Sequence, residues 1–179
     1  MNGATPLCRG RWLALMDQQG WEFVQRIRGR AVVIVLPRFR NGDTLLVSQY
    51  RPAVAAHCLE FPAGLVGDVT DQAEESLLQA AQRELLEETG YLARRLTPLF
   101  RGPSTPGMSS EIVDFILAED LQHQHDGGGV DDEAIRVHRL AIDRVHHWAS
   151  QQSGCLVDAK LYTGLWWLQQ SLPFSESQR

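Results

Sequence analysis

Arg83-Glu84-Leu85-Leu86-Glu87-Glu88-Thr89-Gly90-Tyr91 puts three carboxylates within five residues, near the end of a predicted helix. From about Glu75 to Thr89, Leu77, Leu78, Ala81 and Leu85 fall on one stripe, the spacing of an amphipathic helix. Gly90 follows the last turn as a C-cap. On such a helix Glu84 and Glu88 project from the same side one turn apart, and Glu87 lies on the adjacent edge. The three acids repel one another and meet the negative pole of the helix dipole, so something positive must compensate. Two compensations stay open at this point. Either the acids face water and are screened, or a divalent cation gathers them, because Mg²⁺ takes hard oxygen ligands and completes its shell with water and phosphate. Leu77 and Ala81 share the side of Glu84 and Glu88, so the acids border the buried face, which favours the cation. Arg83 is placed to orient a neighbouring carboxylate.

Around this helix the chain reads as strands, helix, strands, helices, an α+β order. Trp12–Met16 and Trp21–Ile27 flank Asp17-Gln18-Gln19-Gly20 and predict an N-terminal antiparallel β-hairpin. Ala31–Pro37 is apolar without alternation, which predicts a strand buried on both faces. Asn41-Gly42-Asp43 is a turn signal, and with Thr44–Tyr50 it predicts a second hairpin. Cys58–Pro62 is short and extended, with Pro62-Ala63-Gly64 ending it. Further strands are expected at Leu96–Phe100, Ile112–Ala118 and Ile135–Leu140. Helices are expected near Asp143–Gln151 and Ala159–Ser171. The segment Gln122–Gly129 reads as a loop, with His123 and His125 solvated in it.

The 179 residues carry 17 basic and 22 acidic side chains, 44% hydrophobic and 22% charged residues. That composition fits one globular domain with a small extension and excludes collagen-like or wholly disordered chains. Eight arginines against three acids occupy the first 51 residues, and Lys160 is the only lysine. Three scattered cysteines, Cys8, Cys58 and Cys155, form no CxxC pair, so neither a disulfide framework nor structural zinc is expected. The longest apolar runs are too short to span a bilayer, and Trp12–Met16 is too brief for a signal peptide. The expectation is therefore a cytoplasmic protein with no membrane association. The positive charge lies in no recognisable nucleic-acid motif, so nucleic acid is not expected as a partner.

Arg83-Glu84-Leu85-x-Glu87-Glu88-x-Gly90-Tyr91 resembles the signature of the Nudix hydrolases, Gly-x5-Glu-x7-Arg-Glu-U-x-Glu-Glu-x-Gly-U, where U is aliphatic or aromatic. Counting back from Arg83, the earlier glutamate falls on Glu75 and the first glycine on Val69. Gly64, in Pro62-Ala63-Gly64, is the better equivalent, which implies five additional residues within 67–74. The resemblance extends to Gln49-Tyr50-Arg51-Pro52, Glu60-Phe61-Pro62-Ala63-Gly64, Thr105-Pro106-Gly107-Met108-Ser109-Ser110-Glu111 and Val157-Asp158-Ala159-Lys160, as in the ADP-ribose pyrophosphatase branch. It implies a Nudix fold: an α/β/α sandwich with a mixed sheet (31–179), preceded by the N-terminal β extension (1–30).

The resemblance also implies a site. Glu84, Glu87, Glu88 and the Ala63 carbonyl would hold Mg²⁺, with Mn²⁺ as substitute, and Arg83 would serve the box. In that branch the base that takes the proton of the attacking water usually comes from a later acidic loop. Val130-Asp131-Asp132-Glu133-Ala134 resembles that loop, so Glu133 is the expected base, Asp131 the second choice and a box glutamate a third. Trp21 is placed to stack a base or to fill the hairpin core. Arg51 would meet a phosphate or pair with a nearby acid, and Glu111 would pair with substrate or steady its loop. Trp148, Trp166 and Trp167 are expected in helix packing. The expected reaction is Mg²⁺-dependent splitting of ADP-ribose into AMP and ribose 5-phosphate by a homodimer. The alternatives are another nucleoside diphosphate sugar, a dinucleotide such as NADH, or a nucleotide-binding domain without catalysis.

Overall fold

The computed structural model describes residues 3–29, 31–67, 75–130 and 134–170. The elements in chain order are β1 (Thr5–Arg9), β2 (Leu13–Gln18), β3 (Trp21–Arg26), β4 (Val32–Pro37), β5 (Asp43–Arg51), β6 (Ala56–Glu60), β7 (Ala63–Leu65), α1 (Leu77–Thr89), β8 (Tyr91–Pro103), β9 (Ile112–His123), β10 (Arg136–Ala141), α2 (Val145–Ser150), β11 (Cys155–Val157) and α3 (Ala159–Gln170).

Strand β4 sets the layering. Val33 and Val35 face α1, against Ala80, Ala81 and Leu85. Ile34 and Leu36 face the other way, into a core with Val145, Leu161, Leu165 and Leu168 of α2 and α3. A strand covered on both faces has no polar side, which is why the run lacks alternation. Each such side chain removed from water contributes about 1.5–3 kcal/mol. The sheet containing β4 has the order β7-β4-β9-β8, with β4 parallel to β9 and antiparallel to β7. A second mixed sheet, β10-β5-β6-β11, packs beside it through Leu46 and Leu59. The result is a mixed α+β sandwich with α1 on one face and α2 and α3 on the other.

Helix α1 begins where Ser76 and Gln79 form a reciprocal capping box, with Ser76 N–H donating to Gln79 Oε1 at 2.8 Å and Gln79 N–H to Ser76 Oγ at 3.3 Å. Such a box satisfies two N–H groups that helix geometry leaves without partners. The helix ends at Gly90, φ +76°.

Several expectations change. β4 and β5 are not a hairpin: the Phe39–Asp43 turn closes (Phe39 N–H to Asp43 O, 2.9 Å), but the strands leave it into different sheets. The N-terminal hairpin is real, its two-residue loop formed by Gln19 and Gly20 at φ +57° and +84°, the signs a tight hairpin turn needs. β1 adds a third strand to it. β7 and β11 are three-residue strands that no run announces. Trp166 is 63% exposed and does not pack, whereas Trp148 and Trp167 lie against the core. His123 is exposed, but it ends β9 and does not lie in a loop, and its ring makes an edge contact with Tyr91 at 5.0 Å. Among the described residues no helix is long and apolar enough to cross a membrane. Most of the inferred insertion within 67–74, and Asp131 and Glu133, lie outside the described residues.

Candidate active site

The C-terminal half of α1 faces β7. Glu84 is pressed so closely against that strand that a Cβ at Gly64 would fall 1.8 Å from its carboxylate. Glu88, 4% exposed, accepts a hydrogen bond from Ala63 N–H at 3.2 Å. The two glutamates therefore meet adjacent residues of one strand, Glu84 at Gly64 and Glu88 at Ala63, and the closeness of Glu84 explains the need for glycine at 64.

Arg83 ties the acids together. Its Nε donates to Glu75 Oε1 at 2.9 Å, its Nη1 to Glu84 at 2.7 Å and to Glu87 at 3.2 Å, and its Nη2 to the Leu65 carbonyl at 2.9 Å. Glu75 also accepts from Gly67 N–H at 3.1 Å. The bonded carboxylates, Glu75 foremost, hold the Arg83 guanidinium far above its ordinary pKa despite partial burial. The compensating charge that the helix end requires is supplied in part by this fixed guanidinium.

Glu84 and Glu88 open onto a cleft of about 550 Å³ whose walls also carry Arg26, Arg51, Glu60, Glu111, Asp158 and Lys160. Each cation on the wall is held by an acid. Arg51 donates to both oxygens of Glu60 (2.8 and 2.5 Å), Arg26 to Glu111 at 2.5 Å, and Lys160 to Asp158 at 2.5 Å. The Glu60 bond raises the Arg51 pKa against the effect of burial. Fixed guanidinium groups beside clustered carboxylates suit a ligand bearing several phosphate oxygens. Burial, with Glu60 next, pushes the Cys58 thiol up, so this cleft-wall cysteine stays protonated and is a poor nucleophile.

The structure thus brings Ala63, Glu84, Glu88, Arg51 and Glu111 to one cleft. Glu87 is bonded to Arg83 on the neighbouring edge and is 30% exposed. Trp21 stands apart: it is 62% exposed and lines a separate cavity of about 290 Å³ with Gln18, Gln19, Phe23, Pro106 and Ser109. Arg51 and Glu111 both have protein partners, so each pairs locally while still facing the cleft. Arg26, Glu60 and Asp158 were not singled out as site residues from sequence. Their only signal was their place inside or beside the matched segments.

For a divalent cation the donor chemistry fits. Hard carboxylate oxygens meet a backbone strand at the cleft edge, the ligand set such ions prefer. Among the described residues no three acidic, imidazole or thiol side chains are arranged to hold a metal ion. The box carboxylates reach toward Arg83 and Ala63 instead.

The sandwich and the helix box together are those of a Nudix domain, and the description of that domain matches residues 27–158. The chain belongs to the Nudix hydrolase family. A GDP-mannose pyrophosphatase of Klebsiella pneumoniae is 32% identical over 152 residues, covering 80% of this chain and 73% of that protein. An ADP-ribose pyrophosphatase of Bacillus subtilis is 32% identical over 118 residues, covering 65% of this chain and 61% of that protein. A solved structure described as an ADP compounds hydrolase superposes with a TM-score of 0.69 at 20% identity, over 94% of this chain and 91% of that one. At that identity the superposition speaks for the fold.

Proposed function

We propose that this Nudix hydrolase splits the pyrophosphate bond of a nucleoside diphosphate sugar, with ADP-ribose the first substrate and AMP and ribose 5-phosphate the products. The observation that carries this reading is the cleft itself, with Glu84 and Glu88 opening onto the same space as the anchored cations Arg26, Arg51 and Lys160. The carboxylates of Glu84, Glu87 and Glu88 and the Ala63 carbonyl would hold Mg²⁺, or Mn²⁺ in its place. When bound, such an ion supplies charge neutralisation at the diphosphate and acidifies water. Arg83 keeps the box carboxylates in register. Arg51, fixed by Glu60, binds phosphate oxygens with little loss of side-chain freedom. Glu133 is the proposed base, and Trp21 and Glu111 the proposed substrate contacts. Three free cysteines suit a reducing cytoplasm. The exposed apolar side chains of the N-terminal strands suit a homodimer, with 1–30 as its extension and 31–179 as the catalytic unit.

A second reading, GDP-mannose as substrate, has specific support, because the Klebsiella relative so named matches a larger share of the chain than the ADP-ribose relative does. Product analysis on ADP-ribose, GDP-mannose and NADH, with and without Mg²⁺, separates these. AMP and ribose 5-phosphate appearing only with Mg²⁺, and lost in Glu133→Gln, is the expected outcome. Tight ADP-ribose binding with no turnover of any substrate would reduce the protein to a nucleotide-binding domain.

A further inference from the structure

The last turn of α1 contains Glu87 and Glu88, so whatever fixes that turn fixes both side chains. A helix leaves its final four carbonyls without intrahelical donors. Gly90 N–H takes the Leu86 carbonyl at 2.8 Å, the usual glycine cap. The next two are taken from outside the helix. Gly129 N–H donates to the Glu87 carbonyl at 3.0 Å, and Gly128 N–H to the Glu88 carbonyl at 2.9 Å. Gly127, Gly128 and Gly129 have φ of +68°, +110° and +86°, a region that residues with a Cβ avoid. A Cβ at Gly127 would lie 2.5 Å from Thr89 C and 2.6 Å from the Glu88 carbonyl oxygen. The run lies flat on the helix end because it is glycine. Its far side is pinned as well, by Ile135 N–H donating to the Gly128 carbonyl at 3.2 Å.

We propose that Gly127–Gly129 position the box: the Gly128 and Gly129 amides, brought up by the close approach of Gly127, hold the helical turn bearing Glu87 and Glu88 in the arrangement that a divalent cation requires. The inference rests on the metal-dependent reading above. Two amide dipoles aim their positive ends at the negative pole of the helix, where three carboxylates already crowd. Without them the last turn frays, and Glu87 and Glu88 lose their fixed direction. Ligands fixed in advance lose less freedom on binding, so loosening the turn weakens cation binding before it weakens nucleotide binding.

The test is isothermal titration of Gly127→Ala with Mn²⁺ alone, followed by kcat and KM at saturating metal. The expected result is a Mn²⁺ Kd raised about tenfold, a lower kcat, and a KM within about twofold of wild type. Gly42→Ala is the control: its φ is also positive, +84°, and nothing lies within 4 Å of its Cβ, so it carries strain without touching α1 and keeps wild-type affinity. Gly128→Ala, whose Cβ meets nothing closer than 3.9 Å, replaces Gly127→Ala if that variant does not fold. Unchanged Mn²⁺ affinity in the folded variant, or an equal loss in Gly42→Ala, overturns the inference and leaves the enzyme reading standing. Wild-type protein that takes up no Mn²⁺ overturns both.

Discussion

Arg83 serves four acceptors from one side chain: Glu75, Glu84, Glu87 and the Leu65 carbonyl. A planar guanidinium does this where an ammonium, a single point of charge, does not. The residue thus joins the first turns of the box segment to its last, and its charge is committed to the fold before any ligand arrives. His138 shows the opposite case, a titrating group removed from the box. Its Nε2 lies 2.8 Å from Ser48 Oγ and its ring 4.9 Å from the Trp148 ring. Burial, with the Arg136 charge second, lowers its pKa from the ordinary 6.5. The unfolded chain therefore takes up a proton at a pH where the folded one does not. This contribution to stability is complete above about pH 6.5 and is lost as the pH falls from there toward the folded-state value. His138→Gln keeps a partner for Ser48 and removes the titration. Urea midpoints between about pH 5 and 7.5 should fall more steeply with acid in wild type than in the variant. Parallel curves would remove His138 from the account.

At the scale of elements, α3 meets the sandwich through a glycine. A Cβ at Gly164 would lie 2.5 Å from Leu36 Cδ2 and 2.7 Å from Phe61 Cε2, both in fully packed surroundings. Alanine at a helix interior ordinarily gains about 1 kcal/mol over glycine. Overpacking a filled core costs about 1–3 kcal/mol, and neither the Phe61 ring nor the buried Leu36 has room to yield. Gly164→Ala should therefore lower the urea midpoint, and a raised midpoint would show that the helix shifts without cost. Such contacts mark what local sequence conveys and what it does not. The non-alternating run at β4 revealed its double burial, because Val33 and Val35 face one layer and Ile34 and Leu36 another. The capped helix and the acids on its edge were equally legible, since 3.6-residue periodicity and Gly90 are local. Strand pairing was not: the Asn41-Gly42-Asp43 turn says that the chain reverses, and only the global arrangement sends β4 and β5 to different sheets. β7 was hidden because Ala63-Gly64 reads as a turn. Arg51 and Glu111 line the cleft, but their partners, Glu60 on the neighbouring strand β6 and Arg26 in the separate three-stranded sheet, leave no spacing signal.

For the whole molecule, the charge asymmetry of the sequence acquires a place. Acids gather in the Glu60–Glu88 and Glu119–Glu133 windows, where Arg83 is the only basic residue, while β1–β3 carry arginines and an apolar surface. Leu7, Trp12, Leu13 and Trp21 are each between 46% and 62% exposed on or beside that three-stranded sheet. Leu13 and Leu15 alternate onto the same side of β2. The sheet joins the rest of the chain chiefly at one seam, where Val24 N–H meets the Met108 carbonyl at 2.8 Å, Ser110 N–H the Val24 carbonyl at 3.1 Å, and Arg26 meets Glu111. A small sheet with little core of its own gains by covering its apolar face, and a second copy of the same sheet provides a self-complementary cover. In its own chain Trp21 lines a cavity separate from the cleft, so the proposed substrate contact by Trp21 requires the cleft of a second copy. Light scattering at micromolar concentration should give twice the chain mass for the wild type. Leu13→Glu/Leu15→Glu places charge on that face without touching the cleft and should halve the mass. If Trp21 acts across the interface, the same variant raises KM while the box still binds Mn²⁺ normally. A wild-type monomer at full activity would confine the whole reaction to one chain and return Trp21 to the surface.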